Sequence, residues 1–185
     1  TDDVIAAAWL PGDGYLDPGA LTRTLIAGAL GRGAQVHEHT RVTAIETRGG
    51  RVAAVVTDRG TIATDVIINA AGCAAGVIGA MAGAVVPVVP MRHQYVVTEP
   101  LDPPAPEIPT VRDPDNIVYV RPEHGALLVG GYAREPNADD DPARSEPLAA
   151  PRTLYDADDE RFAESWRGAV NRFPDLERTA IARVV

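Results

Sequence analysis

A chain of 185 residues, 45% of them hydrophobic, is long enough to bury a real core. Its net charge of −9 argues against a nucleic-acid surface, which needs clustered Lys and Arg, and no apolar run approaches the ~20 residues of a membrane span. A single cysteine, Cys73, excludes an internal disulfide and fits the cytosol, the compartment expected here.

In chain order, residues 4–10 are apolar and read as a strand, followed by the turn Pro11-Gly12-Asp13-Gly14. Asp17 suits a helix N-cap and Pro18 a first helical position. Leu21, Leu25, Ile26, Ala29 and Leu30 then form a helical stripe that ends at Gly31 and Gly33. Residues 34–37 read as a short strand. A three-stranded meander follows over residues 41–47, 52–57 and 61–64, with glycine-bearing turns at Gly49-Gly50 and Asp58-Arg59-Gly60.

Residues 65–80, DVIINAAGCAAGVIGA, organise this half. Val66-Ile67-Ile68-Asn69 is β-branched without polar alternation, the pattern of a strand buried on both faces in a mostly parallel sheet. It breaks at Ala70-Ala71-Gly72 and runs into a small-residue helix over 74–84. Small residues at such a bend let backbone amides approach a phosphate or a flat ring. The same three residues also make an ordinary tight turn. Cys73 reads more naturally as a small buried filler than as a reactive thiol.

Prolines then crowd the chain from Pro87 to Pro114, with strands between them at 91–98, 117–121 and 126–132, an antiparallel-looking second sheet. Residues 137–151 read as an exposed acidic loop. Residues 156–173 form an amphipathic helix with Phe162, Trp166, Ala169, Val170 and Phe173 on one side, stopped by Pro174. The fold class is therefore mixed α/β (α+β): a partial nucleotide-binding layer with a meander, plus a largely antiparallel sheet with a flanking helix. The domain reading is 17–85 for the first, and 1–16 with 86–185 for the second. The chain opens on Thr1 and closes on what reads as a strand cut short, so an internal piece of a larger protein is expected.

Period-two geometry places His93, Tyr95, Val97 and Glu99 on one face of their strand, with Arg92, Gln94 and Val96 on the other. A histidine and a tyrosine sharing a face suit proton handling, although a partly open sheet face would look the same. Tyr119 and Arg121 likewise share a face and offer a phenol and a planar cation to a carboxylate. Tyr119 reads equally as a core aromatic, and Arg121 more simply as a partner of Glu123. Asp139-Asp140-Asp141 reads as a solvated loop rather than a cation site, and His37 with His39 lacks a third ligand for zinc. No Gly-x-Ser-x-Gly, Walker, Cys-x-x-Cys or Gly-x-Gly-x-x-Gly motif is present.

Taken together, GDGYLDPGALTRTLIAGALGRGAQVHEHTRVTAIE, VIINAAG, VPVVPMRHQYVVTEP and VYVRPEHGALLVGGYAREP resemble the D-amino-acid-oxidase-like FAD-dependent oxidoreductases, in the family's order. The branch they resemble most holds sarcosine dehydrogenase, dimethylglycine dehydrogenase and dimethylglycine oxidase. The resemblance implies FAD as cofactor and oxidation of an N-methylated glycine; other amino acids, 2-hydroxy acids, or a non-catalytic module of the same fold are the alternatives. It implies that the backbone of Val42 meets the adenine end of FAD and that Ala70, Ala71 and Gly72 of the NAAG turn lie against its phosphate–ribose region. It implies that His93 lies near flavin and substrate and that Tyr119 helps hold the substrate. The expected partner is a small amine, with folate reached through a region outside this chain, and neither nucleic acid nor membrane. Two departures stand out: Cys73-Ala74-Ala75 replaces the aromatic residue common after the turn, and the family's N-terminal glycine fingerprint is missing.

Overall fold

The computed structural model describes residues 3–102, 108–138 and 156–185. The chain divides into two compact units, one built on Pro18–Pro90 and the other on Thr1–Asp17, Met91–Asn137 and Thr153–Val185.

In the first unit, α1 (Pro18–Leu30) starts at the proline expected to start it. It stops where Gly31 N–H reaches Ala27 O and Gly33 adopts φ +88°. The meander is β1 (Val42–Arg48), β2 (Arg51–Thr57) and β3 (Gly60–Ala63), antiparallel throughout. Gly49 and Gly50, at φ +59° and +74°, supply the two left-handed residues that a two-residue hairpin needs. A 3-10 turn at Gly72–Ala74 leads into α2 (Ala75–Met81). The helix end packs closely: a Cβ on Gly79 would lie 2.6 Å from Val86 Cγ2.

Three expected strands do not form. Residues 4–10, 34–37 and 66–69 lie outside any ladder, and Val66 and Ile68 are 67% and 88% exposed rather than buried on both faces. The reason is that a strand exists only as part of a pair. Among the described residues these segments have no neighbouring strand to exchange hydrogen bonds with, whatever their β propensity. Among the described residues the ladders of the three- and five-stranded sheets are antiparallel, and neither holds the expected parallel layer.

The second unit holds the principal core. The strand expected at 91–98 is interrupted at His93-Gln94, giving β4 (Met91–Arg92) and β5 (Tyr95–Thr98). Then come β6 (Val111–Asp113), β7 (Val118–Glu123), β8 (Ala126–Gly130), the two-residue β9 (Asn137–Ala138), α3 (Asp159–Arg172), a 3-10 turn at Pro174–Arg178, and β10 (Ile181–Val184). Strand order in the five-stranded sheet is β10-β5-β8-β7-β6. One face carries Val96, Val118, Val120, Leu127 and Val129, which pack with Phe162 and Ala169 of α3 and with Leu176. Asp158 caps α3 by accepting from Arg161 N–H, and Gln94 Oε1 accepts from Asp158 N–H at 2.7 Å. Gln94 is thereby held on the helix side of the sheet.

The β6–β7 turn is built on one carboxylate. Asp113 Oδ1 accepts from Asp115 and Asn116 N–H at 3.1 and 3.2 Å, and Oδ2 accepts from Asn116 Nδ2 at 2.7 Å and from Arg172 Nε. Arg172 also holds Asp3 at 2.7 Å. Ile117, β-branched at φ +55°, is kept in that left-handed conformation with its carbonyl accepting from Ser165 Oγ at 3.1 Å. Burial alone raises the Asp113 carboxyl, but the hydrogen bonds from Asn116 and Arg172 outweigh it and leave its pKa below the ordinary carboxylate value.

A depressed carboxylate pKa contributes stability that is present above the unfolded-state value, about 4, and lost as pH falls through the folded-state value. Asp113→Asn is therefore expected to destabilise the protein by about 1–3 kcal/mol at pH 7, with the gap to wild type closing in acid. Urea unfolding of both proteins across that range checks this.

Candidate functional site

The second face of the five-stranded sheet is chemically unlike the first. The registers Tyr95↔Gly130, Tyr119↔Gly130 and Arg112↔Tyr119 set four residues in one row across four adjacent strands: Tyr95, Gly130, Tyr119 and Arg112. The next row carries Val97, Leu128 and Arg121. Tyr95 and Tyr119 pack on the small apolar cluster of Val97, Ala126 and Leu128.

Gly130 makes this arrangement possible, because a Cβ there would overlap the Tyr119 ring and hydroxyl. Gly131 is constrained from another side, since a Cβ would overlap Ser165 and the Ile117 carbonyl. The two glycines lead into Tyr132, which sequence reasoning passed over. The His93 ring meets Tyr132 edge-on at 4.8 Å between centroids, and Tyr119 meets it tilted at 5.9 Å. His93 and Tyr119 thus share a neighbour, although His93 sits in the strand break, exposed, and Tyr119 sits within β7, half-buried. The aromatic after the Gly-Gly pair was the available signal for Tyr132.

Burial, reinforced by Tyr132 and Tyr95 and opposed by Arg121, pushes the Tyr119 phenol above its usual pKa. A phenol is protonated at neutral pH even at its ordinary value, and the upward shift reinforces this, so Tyr119 can donate a hydrogen bond. Arg121 is committed elsewhere: it pairs with Glu123, and its guanidinium lies 4.6 Å from the Tyr15 ring centroid. A cavity of about 100 Å³ opens beside His93, lined by Arg92, Gln94, Gly131, Arg161 and Ser165 among others, and Tyr119 is not part of its wall.

The other expected site lies in the first unit. Asn69 Oδ1 accepts from Ala71 N–H at 3.2 Å and Asn69 Nδ2 donates to Ala75 O at 2.9 Å, so this side chain shapes the bend. Val42, Ala70 and Ala71 line one cavity of about 240 Å³ with Ile45, Ile67 and Ile78. Gly72 adopts φ +56°, nothing within 4 Å of where its Cβ would sit, and is not in that wall. The lining is small and mostly apolar, and Asn69 and Arg41 are its polar side chains besides Thr40. Such a lining accepts a flat ring with an anionic tail, so the residues fit one end of a flavin dinucleotide.

Cys73 is exposed rather than a buried filler, because the 3-10 turn it occupies buries Ala74 instead. Among the described residues no group of three potential metal ligands exists. Asp139-Asp140-Asp141 and most of the acidic loop lie outside the described residues. No described helix is long and apolar enough to cross a membrane.

Residues 1–184 match the family described as DAO, FAD dependent oxidoreductase. The chain is 40% identical over 189 residues to the mitochondrial sarcosine dehydrogenase of Mus musculus, covering 100% of this chain and 20% of that protein. It is 33% identical over 188 residues to the mitochondrial dimethylglycine dehydrogenase of Homo sapiens, covering 98% and 22%. Among solved structures, the L-proline dehydrogenase from P. horikoshii superposes with a TM-score of 0.75 at 25% identity, covering 95% of this chain and 44% of that one. The chain thus spans about a fifth of the length of these curated relatives. Their mitochondrial location overturns the cytosolic placement drawn from a lone cysteine, which reports on the absence of disulfides and not on a compartment.

Gly130→Ala is expected to displace the Tyr119 ring and cost about 1–3 kcal/mol through overpacking. Ultraviolet titration of the wild type should show a tyrosine ionising above about pH 10 that disappears in Tyr119→Phe.

Proposed function

The chain belongs to the DAO family of FAD-dependent oxidoreductases, and we propose that the whole protein oxidises an N-methylated glycine of the sarcosine or dimethylglycine type. The observation that supports this most is the meeting of His93 and Tyr119 on one shared ring, Tyr132, beside a row of polar and aromatic groups on the sheet face away from α3. The relatives' names supply the substrate class, and the site supplies groups that suit it.

FAD, when bound, would supply the oxidising power, as the acceptor for a hydride from the C–H bond next to the amine nitrogen. The iminium left behind is taken up by water, or by folate held in a region outside this chain. The protein's own residues prepare the amine. The His93 imidazole accepts the ammonium proton of the bound substrate and frees the nitrogen lone pair. The protonated Tyr119 Oη–H donates to the substrate and fixes its orientation, with a contact worth on the order of 1–3 kcal/mol when buried. Tyr132 packs against both rings and limits their motion. The bend at Asn69-Ala70-Ala71-Gly72, with Val42, would hold the cofactor's nucleotide end through backbone amides and small side chains.

A second reading is oxidation of another secondary amino acid, favoured by the superposition on an L-proline dehydrogenase. Flavin bleaching by a panel of methylated glycines and cyclic imino acids separates the two.

In the full-length enzyme, His93→Ala and Tyr119→Phe are each expected to lower turnover by about 10²-fold or more while FAD stays bound. Wild-type turnover in both variants would remove the assignment. Ala71→Leu is expected to act oppositely, lowering FAD retention by filling the cavity at the bend, as read from flavin absorbance after gel filtration. The 185-residue chain alone is proposed to be inactive and to bind FAD weakly; micromolar affinity in a fluorescence titration would contradict that.

A further inference from the structure

We propose that Gln94 is a positioning residue that sets the His93 imidazole through a hydrogen bond to the start of α3, a role that rests on the amine-oxidation reading for what His93 does. The strand break carries the inference. The β5–β8 ladder ends at Tyr95↔Gly130, and its register, continued by two residues, would set His93 opposite Tyr132. The ladder does not continue. β4 pairs instead with β9, so His93 and Gln94 form a two-residue link between two sheets. The His93 ring nonetheless meets Tyr132 edge-on at 4.8 Å between centroids. His93 is exposed and outside any ladder, so neither burial nor strand pairing fixes its backbone.

Gln94 supplies a tie at this link. Its Oε1 accepts from Asp158 N–H at 2.7 Å, at the residue that caps α3. One position from His93, the bond fastens the link to a helix that Phe162 and Ala169 hold in the core. The residue type points to function rather than stability. By period two, position 94 shares the helix-facing side with Val96, where an aliphatic side chain would extend the core. Gln94 instead leaves its Nε2 buried with no hydrogen-bond partner among the described residues, beside the cavity of about 100 Å³. A buried donor left unmet is destabilising, and local rules are broken in this way where a side chain is held for chemistry. Precise placement matters to a proton acceptor, since a misplacement of about 1 Å can cost about 10²-fold in rate.

The test uses full-length, flavin-loaded enzyme turning over sarcosine or dimethylglycine. Gln94→Met keeps the length of the side chain and removes the acceptor. It is expected to lower kcat roughly 10- to 100-fold, with KM, flavin content and melting temperature close to wild type. In a His93→Ala background the same substitution is expected to change turnover by less than about 2-fold, because its effect passes through the imidazole. Gln94→Asn, whose amide falls one methylene short of Asp158, is expected to repeat both results, and it decides the matter if Gln94→Met fails to fold. Wild-type turnover in these variants overturns the proposal. So does an equal fold-loss with and without His93, which marks a merely structural role. Both of those outcomes leave the His93 assignment standing. Failure of the oxidation reading looks different: His93→Ala then turns over as fast as wild type, or wild type oxidises neither substrate, and either result overturns both.

Discussion

The Asp113 carboxylate is the constraint on which the second unit depends. Its two oxygens close the turn between β6 and β7 and receive Arg172 from the end of α3, so one side chain ties an edge hairpin to the helix that covers the core. Because successive strand residues alternate faces, fixing Asp113 toward the helix fixes Arg112 and its cross-strand partner Tyr119 away from it. A slip of one residue would turn Tyr119 into the aliphatic core and bring Val118 and Val120 out of it. The charged tie and the apolar face specify the same register.

That register produces a sheet with two distinct surfaces. Toward α3 it is aliphatic and tightly packed, down to Gly168, whose Cβ would overlap the Asn116 carbonyl. On the far side it presents phenols, an imidazole and guanidinium groups around Gly130, where a missing side chain gives Tyr119 its place. Burial raises the Tyr119 phenol above its ordinary value, so it remains a hydrogen-bond donor beside a cation. This combination sits in a chain whose family carries out its redox chemistry on FAD.

Parts of this were legible beforehand. Asp17-Pro18 and the Leu21–Leu30 stripe marked α1, the Gly-bearing turns marked the meander, and the aromatic–aliphatic stripe from Phe162 to Phe173 marked α3, because caps, turns and amphipathic periods are written in local residues. The four quoted strings also carried the family, and with it FAD. The strand at 66–69 was misread for the converse reason: a β-branched run shows propensity, whereas a strand requires neighbours that local sequence does not display. The break at His93-Gln94 was equally hidden, since Gln94 is drawn to the α3 N-terminus by a residue 64 positions further along.

The sequence by itself determined the helices, the turns, the mixed α/β class and the family, all of which follow from short-range chemistry or from matching strings. Tertiary structure alone decided which cation stands beside Tyr119 and which ring joins it to His93. Arg121 pairs with Glu123, as its spacing on the strand already suggests, and lies against Tyr15, while Arg112 arrives from a different strand through the hairpin register. Tyr132 joins them from beyond β8 by way of two glycines. Residues brought together across strands are set by register and packing, and no local pattern in the chain encodes that meeting.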